Sequence, residues 1–242
     1  MTNNPAARLH LILSTCREKE KALKNKPMVE AWRTIFGISP EVQDSIVMSK
    51  VGLVYMLPPQ ISAKINSISD INHRLYLGWQ NELAQAFGQI SFQAPFQNFT
   101  SKLSDSLLLS IEFCADLLSK TCPEKVIDKK QMEQLRNEIS ELYTNILNSD
   151  LDPDLAQYLL DQLQLIIDAI DNYMLTGSLA LEKAIDTIIG ATITKNYRAR
   201  STKDSKFGNP FWAIVGKTAV LLELAKSAAE LGEGIIKLLP TK

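Results

Sequence analysis

The stretch MEQLRNEISELYTNI, residues 132–146, decides the fold class. Met132, Leu135, Ile139, Leu142 and Ile146 recur at separations of 3, 4, 3 and 4, with charged and polar residues between them. That is the period of one narrow face of an α-helix, and it predicts an edge helix with a thin apolar seam. The same spacing returns in most windows of the chain. Glycine is sparse at 10 residues, and the Val/Ile/Thr alternation of strands is almost missing. The sequence therefore predicts an all-α protein: a multi-helix bundle with short N-terminal helices and a long C-terminal hydrophobic or amphipathic helix.

Upstream of this stretch, about Ser101 to Lys120, apolar residues lie nearly all round (Leu103, Leu107, Leu109, Ile111, Phe113, Leu118), which predicts a central buried helix. Downstream, Asp152-Pro153-Asp154 reads as a cap, an N1 proline and an acidic first turn, followed by Leu155, Leu159, Leu163, Ile166 and Ile170 on one face. Thr176-Gly177-Ser178 breaks that helix, and Leu181, Ile185 and Ile188 carry another that completes an antiparallel bundle near Thr194. The N-terminal ninety residues hold shorter helices. The first runs from Pro5 to Lys24, and a second begins at Pro27 and stops at Gly37. A third is expected to start at Ser39-Pro40-Glu41 and run to Leu57, where Pro58-Pro59 opens the next. The segment 89–100 reads as an extended connector pinned by Phe92, Phe96 and Phe99.

These readings give four parts: an N-terminal helical subdomain over 1–97, an antiparallel helical bundle over 98–195, a basic linker over 196–210, and a C-terminal amphipathic helix over 211–242. The linker region carries Arg198, Arg200, Lys203 and Lys206 and reverses the sign of the acidic stretch before it. From Phe211 to Leu239, Glu223, Lys226, Glu230, Glu233 and Lys237 form one charged stripe in an otherwise apolar run.

With 45% apolar residues the chain can bury a real core, and 26 basic against 27 acidic residues leave no global field for nucleic acid or anionic lipid. Nucleic acid is a disfavoured partner. Three cysteines without metal-type pairing, and no charged-then-apolar leader, predict a reduced cytoplasmic protein.

Chemical motifs are thin. Gly216-Lys217-Thr218 imitates the end of a phosphate loop, but the position five residues before Gly216 is Phe211 instead of glycine, so Lys217 and Thr218 read as ordinary helix residues. Asp150, Asp152, Asp154 and Asp161 imitate a calcium loop, yet Leu155 stands where its glycine should be, and helix capping accounts for the same aspartates. Glu138/Glu141 and Asp168/Asp171 are i,i+3 acidic pairs on polar helix faces, where solvation explains them. His10 and His73 lack the neighbours of a metal or catalytic site, and Cys16 and Cys114 sit in apolar stripes. The expectation is no cofactor, no metal and no catalysis.

The apolar arc of the last helix is expected to pack back on the bundle or on another copy, and its surplus apolar surface points to an interaction protein that self-associates or binds a protein partner. The contacting residues are expected to be Phe211, Trp212, Ile214, Val215, Val220, Leu221, Leu224, Leu231, Ile235 and Leu238. An alternative is a conditional membrane-active effector or toxin of bacterial type that uses residues 211–239 as an inserting or interfacial helix on anionic lipid. A third reading is an enzyme with an unrecognised site.

Overall fold

A computed structural model describes residues 3–194, 202 and 205–223. Its regular structure among these residues is α-helical, joined by two isolated antiparallel bridges, Asn3 to Glu124 and Pro27 to Pro95. By its contacts the chain divides at Glu124/Lys125 into two compact units.

In the first unit, helix α1 (Pro5–Glu18) starts as its sequence demands: the Asn4 side chain accepts the Ala7 N–H at 2.9 Å and Pro5 takes the N1 position. The expected first helix breaks at Lys19, and a separate turn, α2 (Glu20–Leu23), follows. Helix α3 (Met28–Phe36) ends at Gly37, whose φ of 65° few other residues adopt without strain.

Helix α4 (Asp44–Tyr55) begins later than Ser39-Pro40-Glu41 predicts. The Arg33 guanidinium donates to the carbonyls of Ser39 (2.9 Å) and Val42 (2.7 Å) and pairs with Asp44. Those bonds hold 39–43 as a turn and occupy carbonyls that an earlier helix would use. The chain continues through α5 (Leu57–Asn66), α6 (His73–Leu77), α7 (Gln80–Phe87), α8 (Gln97–Thr100) and α9 (Asp105–Thr121).

The connector over 89–100 is stitched into this unit. Met28 N–H donates to Ala94 O and Phe96 N–H to Lys26 O, while Phe96 and Phe99 are buried against Trp32. Helix α9 packs on α1 and α5. It therefore belongs with the N-terminal helices and not with the bundle, and its all-round apolar character does not make it central: Leu109 and Phe113 face solvent. The ends of the unit meet where Glu124 N–H donates to Asn3 O and the Glu124 carboxylate pairs with Arg8.

Among the described residues, the second unit is built on four longer helices and one short one. Helix α10 (Lys129–Leu147) buries Leu135, Ile139, Leu142 and Ile146, the face read from its spacing. Helix α11 (Pro153–Asp171) starts at Asp152, whose carboxylate accepts the Leu155 N–H at 3.1 Å. A turn, α12 (Tyr173–Thr176), leads to α13 (Ser178–Thr194). The fourth helix is α14 (Gly208–Leu221): α10 packs on α11, α11 on α13, α13 on α14, and α14 back on α10. The bundle is thus closed by the apolar helix that the sequence places after the basic linker. The Tyr173 hydroxyl accepts from Ile127 N–H (3.0 Å) and donates to Lys125 O (3.1 Å), which ties the first residues of the unit to its core.

Candidate functional site

Helix α14 packs back on the bundle with most of its apolar residues. Phe211, Ile214, Val215 and Ala219 are buried in the core of the second unit, with Trp212 and Leu221 packed at its margin. At about 1.5–3 kcal/mol for each large side chain, this burial stabilises the bundle and is lost if the helix leaves. Val220, 37% exposed, is the most open of the described apolar residues expected to make contacts.

The last helix itself ends earlier than its sequence predicts. Glu223, expected inside the charged stripe of a continuous helix, has φ of 58°, so α14 does not continue through it. Leu224, Leu231, Ile235 and Leu238 lie outside the described residues, as do Arg198, Arg200 and Lys203 of the linker.

What α14 leaves open is a groove along its contact with α10. A cavity of about 460 Å³ is walled by Glu138, Glu141, Leu142 and Asn145 on one side and Pro210, Ala213, Ile214 and Lys217 on the other, with Lys206 and Phe207 at its end. A second, of about 220 Å³, is lined by Leu135, Gln131 and Gln134 opposite Val220 and Leu221. The two share Glu138 and Lys217.

That pair spans the groove. Lys217 Nζ donates to Glu138 Oε2 at 2.6 Å, and Gln134 Nε2 donates to Oε1 at 3.1 Å. The lysine hydrogen bond, before any other influence, holds the Glu138 carboxyl below its ordinary range. Lys206 Nζ lies 5.2 Å from the centre of the Phe207 ring and bonds Asp150 at 2.8 Å, which lowers the Asp150 carboxyl in the same way. The result is an apolar floor with both signs of charge on its rims. Such a surface suits an amphipathic helix, which lays apolar side chains into a trough and keeps its charges at the edge.

The structure brings together residues that the sequence treats separately: Glu138 and Glu141, Lys206 from the linker, and Lys217 from the false phosphate loop. In the acidic pairs, three of the four carboxylates have partners of their own. Glu138 is committed to Lys217, and Asp171 takes a two-point contact from Arg136 (2.8 and 3.1 Å), while Asp168 accepts from Gln164. The calcium-like aspartates also diverge, with Asp150 on Lys206, Asp152 capping α11 and Asp161 accepting from Gln157. Among the described residues no group of three or more His, Cys, Asp or Glu is placed to hold a metal ion.

His10 lies 3.4 Å from Ser14 Oγ and His73 Nε2 3.0 Å from Ile68 O. Cys16 and Cys114 are buried, and burial pushes both thiols up. Asn145, Ala213 and Pro210 were missed as groove residues because nothing in a one-dimensional pattern pairs α10 with a helix sixty residues later. The only signal was Lys217, a lone cation in an apolar run.

The first unit has its own groove of about 460 Å³, lined by Tyr55, Pro58, Pro59, Leu83 and Phe87. Its polar groups satisfy one another: Gln80 Nε2 donates to Ser62 Oγ at 2.7 Å and Tyr55 OH to Phe87 O at 2.7 Å. It offers no charge to orient a ligand.

No described helix is long and apolar enough to cross a membrane. Compared with known families, with curated proteins and with solved structures, the chain gives no match in any of the three.

Proposed function

We propose that the protein is a non-enzymatic helical interaction protein whose docking site is the groove between α10 and α14. The observation that carries this reading is the groove itself: two adjoining cavities with an apolar floor, crossed by one exposed ion pair, on a unit whose described helices already share a filled core. The occupant that fits is an amphipathic helix, either of a partner protein or of this same sequence. The buried faces of α14 serve as scaffold, so the contact surface moves from Phe211, Ile214 and Val215 to Ala213, Lys217, Val220 and their neighbours on α10.

Ala213 is exposed on the groove wall, so Ala213→Trp fills the larger cavity without touching the core. The test is retention on immobilised full-length protein, together with light scattering across concentration. Wild type should retain a partner or associate with itself, and Ala213→Trp should lose that association. A wild-type protein that stays monomeric and retains the same set of proteins as Ala213→Trp contradicts the reading. The membrane alternative gains no observation here, since it would withdraw Phe211, Ile214 and Val215 from a formed core.

A further inference from the structure

The two cavities of the groove repeat one another. On α10 the larger is lined by Glu138, Glu141, Leu142 and Asn145, and the smaller by Gln131, Gln134, Leu135 and Glu138, the same set moved back by seven residues. On α14, Pro210, Ala213 and Ile214 of the larger cavity correspond in the same way to Lys217, Val220 and Leu221 of the smaller. Each α10 set stands at positions i, i+3, i+4 and i+7, the four-residue hole that receives one side chain of a neighbouring helix in a coiled coil. Successive holes lie two turns, ~10.5 Å, apart. An occupant that fills both therefore needs apolar side chains at i and i+7, the larger for the cavity of about 460 Å³ and the smaller for that of about 220 Å³.

The charges on the rim differ in what they already hold. Lys217 is engaged by Glu138 at 2.6 Å and Lys206 by Asp150 at 2.8 Å. Glu141 is exposed on the α10 wall and has no ion-pair partner among the described residues. Charges that flank the apolar seam of a coiled coil are the ones that choose its partner. The complement of Glu141 is a cation.

We propose that the occupant of the groove is a helix of another protein, with apolar side chains at heptad spacing and a lysine or arginine on the flank that meets Glu141, an inference that rests on reading the groove as a helix-docking site. A second copy of this chain fits less well. Among the described exposed large apolar residues, one pair on a single helix is seven apart, Met48 and Tyr55 of α4. Tyr55 is drawn onto its own unit, its hydroxyl donating to Phe87 O at 2.7 Å and its ring centre 4.4 Å from that of Phe87. The one base of α4, Lys50, stands two residues after Met48, ~200° round the helix from it.

The probes are fluorescein-labelled alanine-based peptides of about 15 residues, four turns of helix, stapled on the outer face. One carries Trp and Leu at i and i+7 with lysines on both flanks. A second exchanges the lysines for glutamates, and a third keeps the lysines but moves Leu to i+5, which turns it off the apolar face. Each is titrated at low salt with full-length wild type, Ala213→Trp and Glu141→Lys, and light scattering is recorded on the three proteins alone.

The lysine-flanked i, i+7 peptide should bind wild type at least about fivefold more tightly than the glutamate-flanked one, and Glu141→Lys should abolish or reverse that preference. Moving Leu to i+5 should weaken binding by at least about tenfold, and Ala213→Trp should remove it for every peptide. Equal binding of the two flank types, a preference that survives in Glu141→Lys, or indifference to the position of Leu overturns the inference; the groove reading stands as long as Ala213→Trp still removes binding. A wild type that is dimeric by light scattering and becomes monomeric with Ala213→Trp gives the groove to a second copy and overturns the inference as well. No peptide binding to wild type also overturns it; the groove reading itself then falls only if Ala213→Trp changes no association of the full chain.

Discussion

Arg8 and Glu124 show how much one pair of side chains can hold. The Arg8 side chain is 6% exposed and that of Glu124 12%, and the two meet at 2.5 Å while Lys64 approaches the other carboxylate oxygen at 3.4 Å. Breaking such a pair strands a buried charge, which costs about 3–5 kcal/mol, whereas replacing both members with apolar residues is often neutral. Glu124→Ala should therefore lower the stability of the first unit by about 3 kcal/mol in a denaturant melt, and Arg8→Met/Glu124→Leu should recover most of it. The exposed Glu138–Lys217 pair behaves differently. Its carboxyl is held below an ordinary value of 4.5, so the pair contributes fully above that pH and loses its contribution as pH falls through the lowered value. Between pH 4.5 and 3 the melting temperature of wild type should fall further than that of Glu138→Gln, a difference that ~1 M salt should shrink.

Helices were legible in the sequence where local signals agree and obscure where a distant partner decides. The seam of α10 and the Asp152-Pro153 start of α11 are complete within a few residues, so spacing and capping alone recover them. The start of α4 is not, because Arg33 reaches from another helix to hold Ser39 and Val42. Leu109 and Phe113 misled in the opposite direction: an apolar ring round α9 suggested burial, but neighbours cover only one side. For α14 the apolar character was legible and its use was not, since a core face and an interface face share one composition. The distinction is measurable: Phe211→Ala should cost about 3–5 kcal/mol in unfolding free energy, while Val220→Ala should stay within about 0.5 kcal/mol. Equal effects from the two would mean that α14 is not part of the bundle core.

At the level of the molecule, the ends of the first unit are tied by Asn3 and Glu124, and the second begins at once with Lys125 held by Tyr173. Each unit has its own core, and the second carries a groove with charged rims. The candidate site was legible in its parts, as Glu138, Glu141, Lys206 and Lys217, but their convergence depends on the closure of the bundle by α14. The central claim is that this groove is a docking surface. Light scattering across concentration, with retention on the immobilised full-length protein, for wild type beside Ala213→Trp decides it. Wild type is expected to associate with itself or retain a partner and Ala213→Trp to lose that association; a wild type that stays monomeric and retains the same proteins as Ala213→Trp would contradict the claim.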